Sequence, residues 1–327
     1  MSDIAELAKV SVSTVSRALA DSPLVAPSKR ALIRQLAEQQ GYVVDTAARN
    51  LRLKRSNTIC LAIPLAHDTT QRLTDPFFVE IICHLADAVT ERGYGLFLQK
   101  IVPPMQNWLM KLLAAHRVDG LLVLGQSTEH EALQAMAHQY KPMVVWGGQS
   151  SGNDYCTVGS DNVAGGRLAV SHLIHSGRRN ILYFGQTQAV EFQHRHQGWQ
   201  QALSAAGLRA DLRVEAPMSA EGAYQAMQEV LRQGLSFDGV FAASDVLAAS
   251  ALRALRECGK RVPHDVAVVG FDDISLAQMV HPTLTTVHQD LVKGARVMVD
   301  LLFQRLASEE TDSVMMQPSL VVRESAP

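Results

Sequence analysis

The chain has little cysteine, little net charge and no long apolar run, and each shortage removes a class of protein. Cys60, Cys83, Cys156 and Cys258 are the only cysteines in 327 residues and lie far apart, two of them inside apolar runs. That spacing gives neither a disulfide framework nor a zinc site and reads as buried thiols. His172 with His175, and His194 with His196, lack a third ligand at metal spacing, so no metal is expected. No secretory leader pattern opens the sequence, and no apolar stretch approaches a membrane span, which predicts a cytoplasmic protein without a membrane partner. Complete catalytic patterns are missing too. Gly159 to Gly166 lacks the Lys-Ser/Thr of a phosphate loop, and adjacent Asp272 and Asp273 would point apart at a strand end, a poor acid pair. Neither enzymatic activity nor a cofactor is expected.

What is present begins at residues 7–19. A first helix can start at Asp3, with Glu6 three residues on as a capping box. A second can start at Ser11, whose hydroxyl can accept from the amide of Thr14. Val15 and Leu19 share one face at i, i+4 and can pack on Ile4 and Leu7, leaving Val12, Ser13, Ser16 and Arg17 outward. Hydroxyls and helix N-terminal amides bind phosphates, Arg can fork onto guanine, and small side chains can meet a thymine methyl. The pattern is that of a major-groove reader, with Ser11, Val12, Ser13, Thr14, Ser16 and Arg17 as its contacts.

A third helix is predicted over residues 27–40, with Pro27 in its first turn, Leu32, Ile33 and Leu36 on its apolar side and Gly41 as its stop. Asp45 can cap one further short helix ending near Arg52, Lys54 and Arg55. Alone in water a helix of that length is marginal, so it is expected to form only against a partner. Residues 1–56 carry a net charge of +4 and the whole chain −2, so residues 57–327 carry −6. A cationic head on an anionic body fits a nucleic-acid module joined to a domain with another task. A merely solvated basic face would not predict that the excess coincides with the helix-turn-helix.

With 47% hydrophobic residues, the remainder is long enough for sizeable cores. Strands are predicted at 59–64, 95–99, 120–124, 143–146, 181–184, 239–243 and 266–271, with helices at 79–92, 163–176, 198–206, 220–232 and 246–258. This alternation argues for parallel sheets covered by helices, which bind ligands beyond the carboxyl ends of their strands. Phe77, Phe78, Gly147, residues 191–195, Ser244, Asp245 and Asp272 all follow such strands. Arg195 offers a planar fork, Asp272 can accept from two adjacent sugar hydroxyls, and Phe77 can cover a sugar face or a base. Asp161, Asp245 and Asp273 can equally cap the next helix.

The order of these features resembles the lactose-repressor (LacI/GalR) family of transcription regulators. The resemblance runs through the whole chain: the helix-turn-helix, Gly41-Tyr42, Ala48 and Leu51, Arg55-Ser56, Asp75-Pro-Phe-Phe78, Val118-Asp-Gly-Leu-Leu122, Gly159-Ser-Asp-Asn162, Arg195-His-Gln-Gly-Trp199, Ser244-Asp245, Val268-Val-Gly-Phe-Asp-Asp273 and Pro282-Thr-Leu-Thr-Thr286. It implies an α/β fold: an all-α helix-turn-helix head at 1–44, a hinge helix and linker at 45–56, and a two-lobed core like periplasmic binding proteins at 57–327. Lobe 1 would span about 57–158 and 288–313, and lobe 2 about 159–287 and 314–327. Ala48, Asn50 and Leu51 would meet the minor groove, Leu51 as a wedge. Phe77, Arg195 and Asp272 match effector-binding positions, and Glu191, His194, Ser244 and Gln289 match positions that vary with the effector.

Several departures are visible, among them Val44-Asp45 in place of the usual Pro-Asn before the hinge helix. Lys9 stands where Gly is usual in the turn, Ser244 where Asn is frequent, and Gly147 where some sugar-binding members carry an acid. The implied function is a homodimeric repressor of carbohydrate-utilisation genes on a near-palindromic operator, its affinity changed by a mono- or disaccharide between the lobes. The alternatives are a purine- or nucleoside-responsive co-repressed regulator, or a sugar-binding protein or enzyme without a DNA role.

Overall fold

The computed structural model describes residues 1–327 except 20, 43–55, 66, 67, 69, 70, 102–107, 116, 117, 150, 151 and 153. It divides into two compact units, Met1–Ser56 and Asn57–Pro327.

In the first unit, α1 (Ser2–Leu7), α2 (Val12–Leu19) and α3 (Pro27–Gln39) close on a small core of Ile4, Ala5, Ala8, Val15, Ala18, Val25, Ile33 and Ala37. The expected capping box does not form. Met1 takes the N-cap position of α1 without a side-chain bond, which places Asp3 inside the first turn. Leu7 and Leu32 are exposed, at 53% and 45%, while small residues, Ala5, Ala8, Ala18 and Ala37, take core positions. Lys9 adopts φ 50°, the left-handed turn its glycine-like position demands. The expected hinge residues Ala48, Asn50 and Leu51 lie outside the described residues.

The second unit opens with strands β1 (Thr58–Pro64), β2 (Gly95–Ile101), β3 (Gly120–Leu124), β4 (Met143–Trp146) and β5 (Cys156–Ser160). There follow β6 (Ile181–Phe184), β7 (Arg213–Val214), β8 (Gly239–Ala242), β9 (Ala267–Asp272) and β10 (Thr285–His288), and finally β11 (Val314–Met316) and β12 (Ser319–Val321). One sheet has the order β11-β5-β4-β3-β1-β2 and the other β12-β10-β9-β8-β6-β7. Every pairing is parallel except β10 with β12. The seven predicted strands all occur, with ends moved by a residue or two. β11 pairs with β5, so the first lobe reaches residue 316 rather than 313, and β10 keeps His288 in the second lobe. Among the described residues no helix is long and apolar enough to cross a membrane.

The strand order reverses at β1/β3 in one sheet and at β6/β8 in the other, and such switch points leave crevices beyond the carboxyl ends. The two lobes also share apolar packing: Val246 and Ile274 of the second belong to the first lobe's cluster with Phe78 and Ile81. Polar bonds cross between them as well. Asp68 Oδ2 accepts from Met218 N at 2.6 Å, Glu191 Oε1 from Gln126 N at 3.0 Å, and Glu80 Oε1 from Ser275 N and Oγ at 2.7 and 2.6 Å.

The helix Val190–Ala205 starts eight residues before its predicted position. Gly198, the first residue of the predicted span, is interior to it. There it allows close passage over the helix Asn162–His175: a Cβ on Gly198 would sit 2.2 Å from the carbonyl oxygen of Val163, and one on Gly166 would sit 2.3 Å from that of Arg195. Alanine would ordinarily stabilise a helix interior by roughly 0.5–1 kcal/mol. Here the obstacle is backbone and the sign reverses. Gly198→Ala is expected to destabilise the protein by about 1–3 kcal/mol, read as a lowered urea midpoint at unchanged slope.

Candidate functional site

A void of about 600 Å³, counted to its open mouth, lies between the lobes beyond β1, β3, β6, β8 and β9. Of the seven predicted effector residues, Phe77, Glu191, Arg195, Ser244 and Asp272 line it, and His194 and Gln289 do not. Gln289 is 2% exposed behind the wall, where Nε2 donates to Asp272 Oδ1 at 2.7 Å.

Arg195 is 5% exposed and held on every side. Nε donates to Asn162 Oδ1 at 2.9 Å, Nη1 to the carbonyl of Ala243 at 2.5 Å, and Nη1 also stands 3.5 Å from Asp272 Oδ1. The guanidinium lies 3.7 Å from the ring centre of Phe271 and 5.1 Å from that of Phe192. Its fork therefore faces the protein more than the sequence suggested. The described residues occupy Nε and Nη1, leaving Nη2 for a ligand.

Asp272 has φ 122°, a strained conformation for a side-chain-bearing residue. The surroundings impose it: Asp245, wholly buried, accepts from Ile274 N at 3.0 Å and from Thr286 Oγ1 at 2.5 Å, fastening the chain just beyond β9. Asp245 is thus not a helix cap. Ser244 caps that helix instead, accepting from Leu247 N at 3.3 Å, while Asp161 does cap the preceding one, accepting from Ala164 N at 2.9 Å. Asp273 pairs with Arg323 at 2.6 Å and with His288 at 3.0 Å. Burial drives the Asp272 carboxyl from 3.8 up to about 7; Arg195 opposes the rise and the facing Asp75 adds to it.

Sequence reasoning missed Gln71, Asp75, Ser127, Trp146 and Met218 in the same wall, while Phe192 falls in the predicted stretch 191–195. Asp75 carried a readable signal, an Asp-Pro helix start, and it does cap the helix Pro76–Glu91 by accepting from Phe77 N at 3.0 Å. Met218 carried none, since β7 is only two residues long. Gly147, without a side chain, leaves space filled by Gln126, whose carboxamide would stand 2.8 Å from a Cβ there. Cys83 and Cys258 are exposed rather than buried, each at a helix surface. Among the described residues no group of three or more His, Cys, Asp or Glu could hold a metal.

In the first unit, Ser11 caps α2, accepting from Thr14 N at 3.2 Å, and its hydroxyl lies 2.8 and 2.9 Å from those of Ser13 and Thr14. Val12, Ser13 and Arg17 are exposed, Thr14 and Ser16 half-buried, and Val15 is closed in the core. One helix face thus presents hydroxyls, a methyl-bearing side chain and a guanidinium, the chemistry of base-edge and phosphate contact.

Comparison with known proteins matches both units. The profile of bacterial regulatory proteins of the lacI family matches residues 1–45, and that of the periplasmic binding protein-like domain matches residues 170–326. The HTH-type transcriptional regulator CelR of Thermobifida fusca is 34% identical over 98% of this chain and 96% of its own. The HTH-type transcriptional repressor PurR of Pasteurella multocida is 32% identical over 99% and 97%. Among solved structures, a complex of the regulator CelR with cellobiose is 33% identical with a TM-score of 0.72 and covers 98% of each chain. A Lac repressor dimer bound to operator and the anti-inducer ONPF is 25% identical with a TM-score of 0.88, covering 99% of this chain and 98% of that one.

The raised Asp272 carboxyl sets a pH trend. Between 3.8 and about 7 the folded protein holds a proton here that the unfolded chain releases, so this group's contribution to stability falls as pH rises through that window. Relative to Asp272→Asn, the wild type is expected to lose melting temperature between pH 5 and pH 8; a constant gap between the two would place the carboxyl outside that range.

Proposed function

The chain belongs to the lacI family of bacterial regulatory proteins, and from that premise we propose that it is a homodimeric, cytoplasmic repressor of carbohydrate-utilisation genes, with no catalytic step of its own. A mono- or disaccharide in the cleft sets its affinity for a near-palindromic operator. The observation that carries this reading is the composition of the cleft wall. An aromatic face at Phe77 stands with Asp272 and the half-used fork of Arg195, the groups that cover a sugar ring and bond its hydroxyls. The full-length likeness to a regulator solved with cellobiose supports the same class.

The wall is drawn from both lobes, Asp75 and Phe77 from the first and Arg195 and Asp272 from the second. A ligand touching both is bound with a free energy that depends on how the lobes stand, so it shifts their equilibrium. If that shift alters operator affinity, the operator alters sugar affinity by the same factor. The face of α2, with Ser11, Val12, Ser13, Thr14, Ser16 and Arg17, reads the operator, and two-fold symmetry of the dimer calls for two half-sites. Ala48, Asn50 and Leu51 are assigned the minor-groove contact. A second reading, co-repression by a purine, is favoured by the PurR relatives and by the same aromatic wall.

Thermal melting of the full chain against mono- and disaccharides, nucleosides and purines decides between them: a selective sugar shift supports the first reading, a selective purine shift the second. Arg195→Ala is expected to abolish the response to the active ligand while operator binding persists, and a normal response would remove Arg195 from the site. Arg17→Ala is expected to cost about 1–3 kcal/mol of specific operator affinity and to relax base preference at one position of each half-site; unchanged operator selection in a binding-site library would exclude α2 as the reading helix.

A further inference from the structure

The connection from β1 to the helix Pro76–Glu91 covers residues 65–75, long against the roughly 2–6 residues usual for a strand-to-helix turn. Its last part enters the cavity wall with Gln71 and Asp75. Gln71 is 4% exposed. Its Nε2 donates to Asp75 Oδ2 at 3.0 Å, and its Oε1 is buried with no partner among the described residues. A buried acceptor without a donor is rare in a folded protein and calls for a reason.

Asp75 decides which end of the amide remains. Burial raises its carboxyl above the ordinary value, yet both oxygens serve as acceptors in the observed geometry: Oδ1 accepts from Phe77 N and Oδ2 from the Nε2 of Gln71. The carbonyl end is left over. The backbone is held too, with Gln71 N donating to Asp68 O at 3.3 Å and Lys100 Nζ to Gln71 O at 3.4 Å. Across the cavity, Arg195 has Nε and Nη1 committed to protein oxygens and keeps Nη2 as a donor, so the two sides of the cleft ask for different groups of one ligand.

We propose that Gln71 is a specificity-determining residue whose Oε1 accepts a hydrogen bond from one hydroxyl of the bound sugar, so that the Gln71–Asp75 pair restricts the cleft to ligands that donate at this point. The proposal rests on the carbohydrate reading above. A neutral polyol has a hydroxyl that can turn its proton toward this point. A phosphate or carboxylate, or the carbonyl edge of an oxopurine, would set lone pair against lone pair at Gln71.

Isothermal titration of the full chain tests this, with cellobiose, D-glucose, the single-deoxy analogues of D-glucose, glucose 6-phosphate and hypoxanthine as probes on wild type and on Gln71→Met, which keeps the length and removes the acceptor. Circular dichroism and melting establish that the variant is folded. The expected result is a roughly tenfold loss of sugar affinity in Gln71→Met. One deoxy analogue should lose a similar factor on the wild type and bind the variant as well as its parent does. The wild-type deoxy series stands without the variant, because a series in which no single hydroxyl matters overturns the proposal. Sugar affinity unchanged in Gln71→Met overturns it and leaves the carbohydrate reading intact, as does tighter binding of glucose 6-phosphate than of glucose. Binding of hypoxanthine with silence from every sugar overturns both.

Discussion

A guanidinium withdrawn from water is the constraint around which the cleft is built. Taking an ion the size of Arg195 into the interior costs several kcal/mol unless its surroundings replace what water gave, and each replacement fixes a neighbour. Asn162 and the Ala243 carbonyl supply hydrogen bonds, Asp272 the opposite charge, and Phe192 and Phe271 their ring faces. Phe271 in turn lies so close to the helix Asn162–His175 that a Cβ on Gly165 would come within 2.6 Å of its ring. The small residues of two helices and an aromatic on β9 thus gather around one placement, beside an Asp272 that Asp245 holds from behind.

The parallel sheets explain why that placement serves recognition. Both sheets turn their carboxyl ends and their points of strand reversal toward the cleft, so short loops from several strands meet there while the sheets stay rigid. Arg195 and Asp272 are fixed by the second lobe, whereas Phe77, Asp75 and Gln71 come from the first. The lining of the cleft is therefore divided between two bodies, the requirement for a ligand to act on shape as well as to bind.

Much of this was legible because the strands are short continuous apolar runs, and residues that follow such runs fall at the cleft whatever the detail of the helices. That is why Phe77, Glu191, Ser244 and Asp272 could be placed from sequence. Periodicity failed where tertiary packing overrode it. Gly198 has the local character of a helix boundary and occupies a helix interior for the sake of close approach, and Leu7 follows the apolar spacing of α1 yet faces out while alanines take core positions. Edge strands such as β7 and β11 are too short to show a pattern. Gln71 and Met218 reach the wall by the path of the chain alone, and Gln289 was placed in the wall because its position could not reveal that Asp272 stands between it and the cavity.

The bonds that cross the cleft give the response a clock. Asp68 with Met218, Gln126 with Glu191 and Glu80 with Ser275 fasten the lobes using the protein's own groups. For a ligand that enters only when enough of these bonds are undone, association would be slower than diffusion and apparent affinity would be reduced by the fraction of time the cleft stands open. Departure waits for the same event. Residence time is then a property of three fastenings lying partly outside the contact surface, and two regulators with identical walls could forget a vanished nutrient at different speeds.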